Sequence, residues 1–316
     1  MDPASIRISE EVSDALQAGR PVVALESALL SFGLPSPLNL ETYVAMESAV
    51  REAGATPAGT AVLSGHLRLG LSSSDVDCLA AGNGCEKASL ADLAWIAATN
   101  RPGATTVAAT MAIAHAAGCS VFATGGIGGV HPQVAEDLDV SADLAALGRY
   151  PIAVISSGAK AILDIPKTLE VLEALGVSVI GLGTDQFPLF YSVSSGRAVR
   201  PVKDVAEAAA VVSRQQRLGL RAAVLVGNPV PTAFALDTRE VQGWLDEAHA
   251  RMRKEGVTGR ARTPFLLAEV ARLSSGRTVR TNQALLIDNA RVAGHLAATL
   301  AATEGPRPRG VPGGGW

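Results

Sequence analysis

Two charged residues stand where the chain around them is apolar. Glu26 follows the run "PVVAL" (21–25), so a carboxylate lies at the edge of an otherwise apolar segment. On its own it reads most simply as a helix-capping or ion-paired acid. Lys160 follows "IAVISSG" and sits in "AKAIL", with small and apolar neighbours on both sides. An isolated lysine is usually solvated, but these flanks are wrong for a surface position. A partly desolvated lysine has a lowered pKa and can attack a carbonyl carbon, which makes Lys160 a Schiff-base candidate.

Other segments carry weaker signals of the same kind. "VFATGGIGGVH" (121–131) runs from a strand-like stretch into glycines, an arrangement that brings backbone close to a phosphate. It lacks the GxGxxG spacing and leads to His131 and Pro132, so it is no dinucleotide fingerprint. "GATTVAAT" (103–110) opens a helix with two threonines, offering hydroxyls and backbone N–H groups to an anion or simply capping the helix. "LDVSADL" (138–144) sets Asp139 and Asp143 around Ser141, which suits a hard divalent cation with a water-rich shell or a pair of surface acids. Lys87 in "CEKASL" is a second cation, for phosphate or for depressing the pKa of the other lysine.

These residues need a frame, and the hydrophobic period supplies one. "PVVAL", "TAVLSG", "SVFAT", "IAVISS", "VSVIGLG" and "AAVLVGN" are short apolar runs bounded by turn residues, as buried parallel strands should be. Between them, helical patterns over 38–54, 105–118, 167–176 and 202–219 each end in Gly. The alternation predicts an α/β/α sandwich with a largely parallel sheet. Three helical stretches follow residue 236 and are expected to form an end cap or partner surface. The expected organisation is one catalytic domain over 1–304 and a disordered Gly/Pro-rich tail over 305–316.

Composition narrows the function classes. With 316 residues, 48% hydrophobic, the chain can bury a large core. Lys plus Arg number 27 against 30 Asp plus Glu, so no global positive field draws nucleic acid or an anionic membrane. Cys78, Cys85 and Cys119 are odd in number and set among small or apolar residues, which fits packing roles in a reducing compartment. The N-terminus has no apolar signal region, and a cytoplasmic protein is expected.

Taken in order, "VVALES", "RPGATTVAATM", "VFATGGIGGVH", "DVSADL", "SGAKAILD", "GTDQFP", "NPVP" and "TPFLL" resemble the pseudouridine-5'-phosphate glycosidases, from about residue 5 to about residue 302. That family reversibly cleaves the carbon–carbon bond between ribose 5-phosphate and uracil. The resemblance implies an α/β/α fold, a homotrimer and a divalent metal, manganese first, with magnesium or calcium as alternatives. It implies that Lys160 forms the imine with ribose C1 and that Glu26 donates and accepts the proton. It places the metal on Asp139 and substrate contacts on Ser141 and Asp143. Lys87, Val107 and Thr124 would line the phosphosugar site, with His131 and Asn282 nearby.

Departures from the family pattern bear on the aglycone. Phe32 stands for a histidine, Leu38 for a glutamine, Pro132 and Gln133 for Arg-Gly, and Leu182 for a tyrosine. Loss of polar groups on loops near the site favours an apolar aromatic aglycone over uracil, because a hydrogen-bonding base would leave its donors and acceptors unpaired. The leading expectation is therefore a C-glycosynthase of the C-ribosylating, natural-product branch. Pseudouridine-5'-phosphate cleavage is the alternative, and a non-catalytic phosphosugar-binding regulator is a third reading.

Overall fold

The computed structural model describes residues 1–132 and 138–304; the tail expected over 305–316 and the departure at Gln133 lie outside them. The strands are β1 (Ile6–Ile8), β2 (Val22–Leu25), β3 (Thr56–Leu63), β4 (His66–Leu69), β5 (Glu86–Ala88), β6 (Gly103–Thr105), β7 (Val121–Ala123), β8 (Ala153–Ser156), β9 (Ser178–Leu182), β10 (Arg200–Val202) and β11 (Val224–Gly227). They form a sheet in the order β1-β4-β3-β2-β7-β8-β11-β9-β10, with β6 joining β3 to β5. Every pairing from β3 through β2 to β10 is parallel, while β3 meets β4 and β6 antiparallel. The expected α/β architecture with a largely parallel sheet is what forms, and β2, β8 and β11 are buried along their whole length.

The helices are α1 (Glu10–Gln17), α2 (Leu38–Glu52), α3 (Ser73–Ala81), α4 (Leu93–Ala98), α5 (Val107–Ala116), α6 (Ala142–Leu147), α7 (Ile165–Ala174), α8 (Val205–Arg217), α9 (Thr238–Lys254), α10 (Arg262–Leu273) and α11 (Arg277–Glu304). The glycines expected to stop four of them, Gly54, Gly118, Gly176 and Gly219, all have positive φ. Helix α5 is buried all round from Val107 to Ala114, so its apolar sequence reflects a place inside the protein rather than a stripe.

The end-cap expectation fails for α11. It packs on α2 and α8 and lies against β2, β7 and β8. Leu285, Leu286, Ala290, Ala293, Leu296 and Ala297 recur on one face and are buried there. Gly294 lets α11 approach α2 closely, since a Cβ there would meet Ala53 Cβ at 2.6 Å. The packing reading of the cysteines holds for buried Cys119, but Cys78 is exposed.

Register explains where a site must be. Leu25 pairs with Ala123, Ala123 with Ile155, and Ile155 with Val226, so four central strands end level. The chain moves outward from β2 to β3 on one side and from β7 to β8 on the other, which makes β2 and β7 the reversal point of the strand order. Ligands of open α/β sheets bind at the carboxyl edge of such a point.

Candidate active site

At that edge residues just past β2, β7 and β8 face one cavity of about 450 Å³. Glu26 enters it from the end of β2, glycines 125, 126, 128 and 129 from the loop after β7, and Lys160 from the turn after β8. Lys87, Val107, His131, Asp139, Ser141, Asp143 and Asn282 also line it. Thr124 stands behind the wall and donates its hydroxyl to Glu26 Oε1. The structure thus gathers every residue singled out for the site, across 256 positions of sequence from Glu26 to Asn282.

Glu26 is buried, at 9% exposure. Burial pushes its carboxyl above the usual carboxylate range, against the pull of the Lys160 ammonium, the Thr124 hydroxyl and Lys87; Asp143 adds to the rise. A carboxyl whose proton is held more tightly than usual, beside an amine, is equipped to pass that proton. Beneath it, Ser27, Thr60, Thr105 and Thr110 share a buried hydroxyl network, and Ser27 Oγ accepts from Thr105 N at 2.9 Å. The network ties the end of β2 to β3 and to the entry of α5. Thr105 therefore serves the scaffold and not an anion. Its neighbour Thr106 lines the cavity, and among the described residues the buried Thr106 hydroxyl has no hydrogen-bond partner.

Lys160 is half-buried and donates from Nζ to Gly126 O at 2.9 Å. Its turn is pinned to the glycine loop by Ile127 N to Gly158 O (3.0 Å) and Lys160 N to Ile127 O (3.1 Å). The glycines are required by close approach: a Cβ at Gly128 would lie 2.2 Å from Ser141 Oγ and 2.7 Å from Asp143 Oδ2.

Asp143 lines the cavity in which a substrate contact was expected of it, and it also braces the scaffold. Its Oδ1 accepts from Ala108 N (3.0 Å) and its Oδ2 from Gly128 N (2.8 Å), so the carboxylate joins the start of α5 to the glycine loop. Asp139 in turn has Arg262 Nη1 at 3.0 Å and His131 Nε2 at 4.0 Å from Oδ2. Among the described residues no group of three or more His, Cys, Asp or Glu could hold a metal ion.

Two of the residues expected to shape the aglycone end are elsewhere. Phe32, on a π-helical turn over Leu29–Gly33, lines the cavity and is 38% exposed. Leu38 instead opens α2 and Leu182 ends β9 beside β10; neither is in the cavity wall. Proximity along a loop had stood in for distance in space.

The sequence reading missed Asn289. It is fully buried on α11 and donates to Thr124 O (2.8 Å) and Ser157 Oγ (3.2 Å), while its Oδ1 accepts from Asn228 Nδ2 (2.9 Å). One amide thus clamps the ends of β7, β8 and β11, the first two of which lead to the glycine loop and to Lys160. Asn289→Leu keeps the volume and leaves those partners unpaired, at about 1–3 kcal/mol each. We expect a lower melting temperature, and a fall in turnover of about 10²-fold through misplaced loops. Equal turnover in a folded variant would remove the clamp from the account.

Residues 11–299 match the profile of the indigoidine synthase A-like proteins. The chain belongs to that family. Among indigoidine synthase A-like relatives, a pseudouridine-5'-phosphate glycosidase of Thermus thermophilus is 53% identical over 285 residues, covering 90% of this chain and 99% of its own. A pseudouridine-5'-phosphate glycosidase of Methylobacterium nodulans is 48% identical over 307 residues, covering 96% and 91%. Among solved structures, the prealnumycin C-glycosynthase AlnA in complex with ribulose 5-phosphate is similar with a TM-score of 0.88 and 37% identity, over 95% of this chain and 98% of that one. An indigoidine synthase A-like protein of Thermotoga maritima follows, with a TM-score of 0.85, 32% identity, and 94% and 96% coverage. No helix among the described residues is long and apolar enough to cross a membrane.

Proposed function

We propose that this protein is a pseudouridine-5'-phosphate glycosidase, converting pseudouridine 5'-phosphate and water to uracil and ribose 5-phosphate. The observation that carries the reading is the meeting of Lys160 and a buried Glu26 across the glycine loop. The glycosidase reading now stands ahead of the C-glycosynthase one. The glycosidase relatives are nearer in sequence than the C-glycosynthase, and two of the three substitutions that argued for an apolar aglycone lie outside the cavity wall.

A carbon aglycone is a poor leaving group, and an iminium supplies the electron sink that expulsion as an oxocarbenium partner does not. The amine of Lys160 attacks ribose C1 and the bond to the ring oxygen breaks, that oxygen taking a proton from Glu26. The secondary ammonium so formed returns a proton to the Glu26 carboxylate. The freed nitrogen lone pair then forms the C1 iminium as the C1–C5 bond to uracil breaks, and uracil C5 takes that proton from Glu26. Water adds to the iminium, and Lys160 leaves to give ribose 5-phosphate. In reverse the same steps join the carbon. The cavity side of Thr106, Lys87 and Ser141 offers groups for the phosphosugar. None of these steps is routed through a metal ion.

The test scores products by mass after incubation with pseudouridine 5'-phosphate, and separately with ribose 5-phosphate and hydroxylated polycyclic aromatics. Uracil and ribose 5-phosphate are expected from the first. Inertness there, with joining to an aromatic, returns the C-glycosynthase reading; borohydride trapping separates either enzyme from a regulator. Phe32→Ala is expected to raise KM about tenfold with kcat little changed, because an apolar wall binds ground and transition states alike. An equal KM would take Phe32 out of the substrate's reach. The proposal extends to a cytoplasmic homotrimer, with the assembly checked by light scattering of the purified chain.

A further inference from the structure

The acid expected to hold a divalent cation is already engaged by a cation of the protein's own. Arg262, the first residue of α10, is 8% exposed, and its guanidinium reaches Asp139 Oδ2. A buried arginine is costly unless paired, so this contact fixes the side chain as much as the side chain fixes Asp139. Both oxygens of Asp143 accept backbone N–H groups, so its carboxylate is committed to the start of α5 and the glycine loop. Among the described residues, Asp139 thus stands as one half of an ion pair, its Oδ2 already facing Arg262 Nη1, and no group of three or more metal-ligating side chains surrounds it.

The pair also has a mechanical consequence. Thr263, Pro264 and Leu267 of α10 line the cavity on one side, and Val140 and Ser141 line it beside the glycine loop. His131 N bonds Asp139 O at 3.0 Å and Ser141 N bonds Gly129 O at 2.9 Å, so Asp139 belongs to a ladder that continues the glycine loop. Arg262 ties α10 to that ladder. A guanidinium does this with fixed direction and a single charge, and a chelator cannot remove it.

We propose that Arg262 takes the place of the divalent cation at Asp139, as a positioning residue that joins two walls of the cavity, and that this chain works without a metal ion. The claim concerns the protein's own charges and is read on protein alone, independently of which glycoside it cleaves. The experiment is manganese binding to the full chain by electron paramagnetic resonance, in wild type, Arg262→Gln, Arg262→Lys and the double variant Arg262→Gln with Asp139→Asn. Wild type and Arg262→Lys are expected to bind manganese weakly. Arg262→Gln should bind at least about tenfold more tightly, because removing the competing charge frees the carboxylate. The double variant should lose the gain. Should Arg262→Gln fail to fold, wild type decides: one tightly held manganese per chain, lost in Asp139→Asn, overturns the proposal, and so does equal affinity in a folded Arg262→Gln.

Discussion

Lys160→Arg is expected to lower cleavage of pseudouridine 5'-phosphate by about 10⁴-fold or more, the scale seen when a nucleophile is removed from an otherwise intact site. Arginine keeps the positive charge and can still donate to Gly126 O, but a guanidinium does not form an imine. Borohydride reduction in the presence of ribose 5-phosphate should attach the sugar to Lys160 in the wild type and to nothing in the variant, since hydride freezes that one intermediate. Peptide mapping by mass locates the adduct. Attachment at Lys87, which shares the cavity, would reassign the nucleophile.

Glu26→Gln should cut turnover by about 10²–10⁴-fold, the usual worth of a positioned proton donor, while making the protein more resistant to heat at neutral and alkaline pH. The sign follows from burial. The folded-state carboxyl is held above its ordinary value, so the folded protein binds that proton more tightly than the unfolded chain. The resulting stability is fully present below the ordinary carboxylate value and is lost as pH rises through the raised one. Glutamine keeps an oxygen for the Thr124 hydroxyl and never carries the charge. Melting temperatures of variant and wild type should converge in acid and separate, variant higher, toward pH 8. A variant that melts lower than wild type toward pH 8 would mean that attraction to Lys160 outweighs desolvation.

The central strands were legible because a strand covered on both faces writes itself as an unbroken apolar run. The peripheral strands β1, β4, β5, β6 and β10 were not: "IRI", "HLRL", "EKA", "GAT" and "RPV" are three or four residues long and most carry charge. Glu26 and Lys160 were conspicuous as charges in apolar company. Asn289 and Arg262 were hidden for the opposite reason, since "LLIDNARVAG" and "TGRARTPF" look like ordinary exposed polar positions. Their burial is decided by segments far along the chain. The backbone partners of Asp143, Ala108 N and Gly128 N, were not legible, because sequence spacing does not say which backbone amides a side chain will meet.

Helix α11 carries a consequence for how the protein is made. The loops bearing Glu26 and Lys160 are translated well before Asn282, Leu286 and Asn289, the α11 residues that wall or brace them. At about 5–20 residues per second, the ribosome needs roughly 6–26 s to travel from Lys160 to Asn289. During that interval the lysine has neither its bracing amide nor that wall of its cavity. An aldehyde-seeking amine is thus kept out of its working geometry on the growing chain, and sugar phosphates in the surroundings meet the assembled pocket only once the last helix has docked.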